Sequence, residues 1–97
     1  MRVPDWDHGV EMCNLLTHFI SDWIADEDCL VTANGYGNGS AHSYIYFTIN
    51  NKVTLKVQGS TDENICNSVI LRKGDTLKID MWLNSVNNGL YKIPLVK

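Results

Sequence analysis

Hydrophobic and polar residues alternate along Ser43–Val57, and this stretch predicts the architecture around which the chain is organised. Six apolar residues occupy its odd-numbered positions: Ile45, Phe47, Ile49, Val53, Leu55 and Val57. Alternation of β-branched and aromatic residues on both sides of an asparagine pair predicts an antiparallel hairpin. Directly opposed residues lie on the same face of a sheet, so an odd-length turn, such as Asn50-Asn51-Lys52, or a bulge is needed to pair the apolar residues with one another. The expected pairs are Ile49 with Val53, Phe47 with Leu55, and Ile45 with Val57. Asparagine suits the turn because it tolerates the left-handed conformation.

The rest of the chain repeats this pattern in shorter segments. The predicted strands are Cys29–Ala33, Ile65–Leu71, Leu77–Leu83 and Leu90–Val96. About six short strands with turn sequences roughly every 8–12 residues are typical of an antiparallel β-sandwich of jelly-roll type. We expect the odd-numbered apolar residues from Ile45 to Leu95 to share one core. Gly74 is expected to take a positive φ in its turn. Pro94 cannot donate a ladder hydrogen bond, so its strand should lie at a sheet edge or be paired on one side only.

Residues 10–24 are ambiguous. Seven apolar residues recur there at helical spacing: Met12, Leu15, Leu16, Phe19, Ile20, Trp23 and Ile24. That period favours an amphipathic helix. Three acids follow at Asp26-Glu27-Asp28, and they would oppose the dipole at a helix C-terminus. Helix and extended strand both stay open. The predicted organisation is an extended segment over residues 1–9, with Trp6 as an aromatic anchor, and a single sandwich domain over residues 10–97.

Length, charge and cysteine usage narrow the function classes. The chain has 97 residues, which corresponds to one domain. Its net charge is −3 and its only basic pair is Arg72-Lys73, so the sequence argues against nucleic-acid binding. No apolar run approaches the about 20 residues of a membrane span. Its three cysteines fit neither a metal site nor a disulfide framework and are expected to be reduced, packed thiols.

Apolar residues also fall at even-numbered positions, where a sandwich is expected to be polar. They are Tyr44, Tyr46, Ile70, Trp82, Leu90, Pro94 and Val96. A surplus of this size in a small domain predicts that part of the outer face is covered. The cover is either residues 10–24 or a neighbouring subunit, and closed symmetric homo-oligomers are the usual arrangement.

Candidate chemistry is sparse. His8, His18 and His42 lie far apart in the chain without a ligand-type residue at metal spacing, and no nucleophile motif is present. The sequence therefore predicts a non-catalytic protein without a metal or cofactor. The best candidate for recognition is a glycine-rich loop, whose predicted ligand residues are Asn34, Tyr36, Asn38 and Ser40. An ordinary hairpin loop, with its tyrosine packed back on the sheet, is the alternative.

Five motifs resemble, in the same order, those of small β-sandwich domains of tailed-phage fibre, spike and head-fibre proteins. They are Pro4-Asp5-Trp6 before Gly9-Val10, Trp23–Val31, Thr48–Val53, Val69–Leu77 and Tyr91–Lys97. Such domains are similar to the jelly rolls of tumour necrosis factor and complement. They usually form homotrimers on the virion, where they bind host-surface glycans or decorate the particle.

The resemblance implies a virion structural protein, made in the bacterial cytoplasm, with itself, other virion proteins and a host-surface glycan as partners. The candidate subunit-interface residues are Trp6, Tyr44, Tyr46, Trp82, Tyr91 and Leu95. The main alternative is a bacterial carbohydrate-binding module that stacks sugars on Tyr44, Tyr46 and Trp82. A small hydrolase, with a groove between paired acids, is a third possibility.

Overall fold

A computed structural model describes residues 2–13, 17–37, 43–59, 63–82 and 89–96, with the backbone alone at residues 13, 17–21, 36, 37 and 63. This part of the chain forms eight strands. They are β1 (Val10–Cys13), β2 (Thr17–Ile24), β3 (Cys29–Gly37), β4 (Ser43–Ile49), β5 (Val53–Gly59), β6 (Glu63–Leu71), β7 (Thr76–Trp82) and β8 (Gly89–Pro94). A short 3-10 helix, Trp6–His8, interrupts the N-terminal segment that was expected to be extended throughout.

The strands form two antiparallel four-stranded sheets. The first sheet has the order β1-β8-β3-β6 and the second has the order β2-β7-β4-β5. Pairing is nested, because β1 pairs with β8, β2 with β7, β3 with β6 and β4 with β5. This is the topology of a long hairpin wound into two Greek keys, a jelly roll. The predicted all-β sandwich is confirmed, with two strands more than expected.

The organising hairpin has the predicted register. Phe47 lies opposite Leu55, with the flanking pairs Ile45 with Val57 and Ile49 with Val53. Asn50 and Asn51 have φ values of 53° and 55°, and the Lys52 amide donates to the Ile49 carbonyl at 3.0 Å. Two successive positive φ values are the signature of the type I′ turn, whose twist matches that of the strands. Gly74, with φ 95°, also has the predicted conformation.

Residues 10–24 contain no helix where the structure describes them, so the helical alternative is wrong there. β2 pairs with β7, and a bulge places two residues of β2 opposite one of β7 between Ile20 and Trp23. Asp22 takes a φ of 61° in this bulge. As a result, Ile20 and Trp23 lie opposite Ile79 and Leu77, two buried residues of the same face. The bulge thus gives a strand an apolar spacing of three, which imitates a helical period.

The core lies between the sheets and follows the odd-number rule in most strands. Its largest members are Phe47, Ile45, Leu71, Leu77, Ile79 and Met81. The rule fails at Val53, which is 54% exposed at the start of β5, and it fails in β8. Leu90 lies opposite Ala33, whose strand turns its odd positions inward, so Leu90 is fully buried in the core instead of lying on the outer face. Ile93 faces away from the core, on the outer face of the first sheet, and is buried there because Gly9 and the 3-10 helix cover it.

The strand that carries Pro94 is also internal, between β1 and β3, and not at a sheet edge. The proline is accommodated because β1 pairs only with Leu90–Lys92, which leaves Pro94 paired with β3 alone. Of the two predicted arrangements, pairing on one side applies at Pro94, and a position at the sheet edge does not. The Pro94 carbonyl still accepts a hydrogen bond, at 2.7 Å, from the amide of Asp5 in the N-terminal segment.

The two lateral sides of the sandwich differ. On the β5–β6 side, the buried amide of Asn67 donates to the Ile45 and Leu55 carbonyls at 3.1 and 3.0 Å, which joins the two sheets. On the opposite side, a cleft of about 260 Å³ separates β1 from β2. Its lining residues include Val10, Met12, Trp23, Ile24 and Lys92. Hydrogen bonds therefore join the two sheets on the β5–β6 side, and a cleft separates them on the β1–β2 side.

Candidate functional site

Three aromatic rings form a continuous patch on the outer face of the second sheet. We call Tyr44, Tyr46 and Trp82 the aromatic patch. The Tyr44 and Tyr46 rings are stacked, with centroids 4.7 Å apart and an interplanar angle of 29°. The Trp82 ring meets Tyr44 edge-on, at 6.3 Å and 80°. Offset stacking and edge-to-face contact are the two favourable arrangements of aromatic pairs.

Strand register explains why these residues meet. Tyr44 and Tyr46 alternate along β4 with Ile45 and Phe47, which are fully buried, so both tyrosines face outward. Tyr44 lies directly opposite Trp82 of the neighbouring strand β7. Trp82 still exposes 40% of its surface. The patch is therefore a direct product of the alternation that builds the core.

Polar groups surround the rings. The Tyr44 hydroxyl donates to Asp80 at 3.3 Å, and the Gln58 amide donates to the Tyr46 hydroxyl. The Lys56 ammonium lies 5.5 Å from the centroid of the Tyr46 ring, within the range of a cation–π contact. Burial, together with the neighbouring Asp80 carboxylate, raises the pKa of Tyr44, so this hydroxyl stays protonated and can donate.

The outer face around the patch lacks aliphatic side chains on β4, β5 and β7. Besides the three rings, its positions hold only polar or charged residues: Thr48, Thr54, Lys56, Gln58, Thr76, Lys78 and Asp80. Exposed aliphatic side chains lie elsewhere: Val53 on β5, Ile70 on β6, and a larger group, together with Trp6, on what we call the N-terminal side. This side comprises Val3, Trp6, Val10, Ile24 and Val96. Ile24 lies opposite Thr76 at one end of β7, whereas Trp82 lies at the other end, so the two apolar surfaces are separated by the length of that strand.

The six predicted interface residues fall into two groups. Tyr44, Tyr46 and Trp82 form the aromatic patch. Tyr91 lies opposite Thr32 on the first sheet, Leu95 pairs with Pro4, and Trp6 projects from the 3-10 helix with 66% of its surface exposed. Sequence reasoning missed Val10 and Ile24, because both lie in the stretch whose secondary structure stayed open.

The predicted ligand loop begins later than expected. Asn34 and Tyr36 belong to β3, which continues to Gly37 and pairs there with β6, so the loop prediction is wrong for residues 34–37. Pairing with β6 on one side, and with β8 as far as Asn34 on the other, supplies hydrogen bonds that outweigh the turn tendency of Asn-Gly. Asn38 and Ser40 lie outside the described residues.

Charged groups at the turns hold the ends of the strands in place. Lys92 lies between Asp26 and Glu27, at 3.0 and 2.9 Å, and these bonds raise the pKa of Lys92. Asp28 accepts from the Lys73 amide at 2.8 Å and pairs with Arg2, which lowers the pKa of Asp28. Each of these acidic groups is engaged in holding chain segments together.

Within the described ranges, no group of three or more histidine, cysteine or acidic side chains is arranged to hold a metal ion. The Nδ1 atom of His8 lies 2.8 Å from an Asp5 carboxylate oxygen, and this bond raises the pKa of His8. The side chain of His18 and the whole of His42 are outside the described part. No helix in that part is long and apolar enough to cross a membrane.

No family model, curated protein or solved structure matches the chain. The likeness to phage fibre and spike domains therefore depends on the five sequence motifs alone.

Proposed function

We propose that this chain is a non-catalytic display and attachment module of a phage virion, assembled as a homotrimer. Two observations support the proposal. The fold is the jelly roll that the five motifs implied. The N-terminal side also leaves large apolar side chains in contact with solvent, and Ile24 alone exposes 61% of its surface.

The exposed residues of the N-terminal side carry the assembly part of the proposal. Val10 and Ile24 line the same open cleft between the two edge strands, and Val3 is hydrogen-bonded to Val96 at 2.7 Å. Aliphatic side chains beside an aromatic residue have the composition of an interface core. We expect another copy of the same chain to cover these residues, because most soluble oligomers are closed and symmetric. Trp6 and Leu95, both predicted interface residues, belong to this neighbourhood.

The non-catalytic part of the proposal is supported by the contacts of the acidic run Asp26-Glu27-Asp28. Asp26 and Glu27 bind Lys92, whereas Asp28 binds Arg2 and the Lys73 amide. A hydrolase needs a pair of carboxyl groups in a groove, one of them free to take a proton. The bond to Lys92 lowers the pKa of Asp26, and the Lys73 amide, together with Arg2, lowers the pKa of Asp28, which is the opposite of what a general acid requires.

Molecular mass in solution tests the assembly. Light scattering on the purified protein should give about three times the 10.9 kDa of one chain. Ile24→Asp should reduce the mass to that of one chain, because it would place a charge in a desolvated contact. Val53→Asp is the matched control, since Val53 is similarly exposed, at 54%, on the other edge strand of the same sheet.

A monomeric wild-type protein would contradict the trimer and favour the alternative, a bacterial carbohydrate-binding module. A trimer that persists in Ile24→Asp would move the subunit contact away from the β1–β2 side.

A further inference from the structure

We propose that the aromatic patch is a saccharide-binding platform, an inference that rests on the attachment part of the proposed function and names its ligand class and site. The patch places a partly exposed indole, that of Trp82, next to two tyrosines and several hydrogen-bonding groups on one face of a sheet. A pyranose ring has the complementary surface: one face of C–H groups, surrounded by hydroxyl groups.

The rings supply the apolar half of such a site. The faces of tyrosine and tryptophan carry partial negative charge, and the C–H groups of a sugar carry partial positive charge, so the two attract on contact. Trp82 has 40% of its surface exposed and borders Tyr44, which in turn stacks on Tyr46. The partly exposed Trp82 ring is therefore the surface on which a sugar ring can lie, and the two stacked tyrosines border it. Their mutual contacts fix the ring positions before a ligand arrives.

The border of the patch supplies the polar half. Each sugar hydroxyl both donates and accepts a hydrogen bond, so the site needs groups of both kinds. Asp80 is an acceptor, Lys56 is a donor, and the Gln58 amide is both. All three already contact the tyrosines, which places them within reach of a ligand on the rings.

The polar residues around the rings, and not the rings themselves, distinguish this surface from a subunit contact, because tyrosine and tryptophan are enriched in interface cores. Lysine, aspartate and similar polar residues are depleted in the cores of protein interfaces. They fill the outer positions of β4, β5 and β7 around the rings, and no aliphatic side chain occurs there. The aliphatic surface that a second copy would cover lies on the N-terminal side instead. The occupant that fits the patch is therefore rich in hydroxyl groups.

Tryptophan indole resonances provide a site-specific test. The chain has three tryptophans, so the indole N–H region of a ¹⁵N spectrum should contain three peaks. The probes are hexasaccharides of β-linked glucose, of N-acetylglucosamine and of galacturonic acid. At least one should shift the Trp82 peak and leave those of Trp6 and Trp23 in place. Trp23 lies at the cleft on the other side of the sheet and serves as the internal control.

Variants then measure what the rings contribute. Trp82→Ala and Tyr46→Ala should each weaken binding about fivefold or more, which is the usual effect of one aromatic contact. Trp82→Phe should retain most of the affinity because it keeps a ring face. Trp6→Ala is the matched control, since it removes an exposed tryptophan from another surface and should leave binding unchanged. Dispersed amide spectra for every variant establish that each is folded.

The outcomes distinguish this inference from the proposed function. If none of the three probes moves the Trp82 peak, or if Trp6→Ala weakens binding as much as Trp82→Ala, the inference is overturned. A loss of trimer mass in Trp82→Ala would make the patch a subunit contact, which overturns the inference and leaves the trimer standing. A monomer that binds sugar through Trp82 would overturn the trimer and leave the inference standing.

Discussion

Asn67 is expected to contribute more to stability than any other polar side chain in the described part of the sandwich. Only 8% of its surface is exposed, and its side-chain amide lies between the sheets and donates to carbonyls of β4 and β5. Asn67→Ala removes two hydrogen bonds worth about 1 kcal/mol each and leaves two buried carbonyls short of a donor. With the lost packing, the free energy of unfolding should fall by roughly 2–4 kcal/mol.

Urea denaturation followed by tryptophan fluorescence measures this loss. The midpoint should move to lower urea while the slope stays constant, because the surface exposed on unfolding hardly changes. Asn64→Ala is the matched control, as the same residue type occupies an exposed position of the same strand. That control should change stability by about 0.5 kcal/mol or less. Equal losses for the two variants would refute a special role for Asn67.

A second variant tests the direction of the bonds. Asn67→Asp keeps the shape, but its ionised form offers only acceptors to two carbonyl acceptors, so the protonated form is favoured in the folded protein. The folded-state pKa of the introduced carboxyl therefore rises above its unfolded value of about 4. The variant should lose stability as the pH rises from that value through the folded pKa, and should be most stable in acid. A pH-independent loss would mean that the site admits water.

Three further predictions concern turns, acid and thiols. Asn51→Gly should raise the melting temperature by a few degrees, since glycine adopts the positive φ of this residue without strain. Asn50→Gly should lower it despite a similar φ, because the amide of Asn50 donates to Asp75 at 3.2 Å. Hydrogen bonds from the Arg72 backbone amide and, to a smaller extent, from Asn50 lower the pKa of Asp75. The stability that Asp75 contributes is therefore present above about pH 4 and is lost as the pH falls through its folded-state pKa. The stability of Asp75→Asn, measured during acid titration, should depend less on pH than that of the wild-type protein. Burial raises the pKa of Cys29 to about 11, so mapping of alkylated peptides should find the exposed Cys66 modified in the native protein and Cys29 only after unfolding.

The hairpin could be predicted from sequence because its determinants are local. Parity of the apolar positions fixed which residues oppose each other, and the Asn50-Asn51 pair supplied the two positive φ values that the turn requires. Gly74 is a similar case. Each of these features depends on a few consecutive residues, and no distant strand competes with them.

Predictions failed where the deciding partner is distant in sequence. The bulge near Asp22 is fixed by pairing of β2 with β7, more than fifty residues away, so the residues of β2 alone imitate a helical period. The inward position of Leu90 likewise depends on its register with Ala33. Asn34 reads as a turn residue until strands on both sides pair with it. The role of Asn67 could not be predicted, because the residue type alone does not show whether an asparagine is buried or exposed.

The two proposed contact surfaces can act at the same time because the fold separates them. The cleft between β1 and β2 lies at one edge of the sandwich, where the sheets are not joined and where Val10 and Ile24 are exposed. The aromatic patch lies on the outer face of the second sheet at the Trp82 end of β7, whereas Ile24 lies opposite Thr76 at the other end of that strand. A subunit that covers the cleft thus leaves Trp82 free for a ligand. Three copies of a weak platform, held together by a contact elsewhere, would bind a repeating polysaccharide far more tightly than one copy, because each further contact becomes intramolecular.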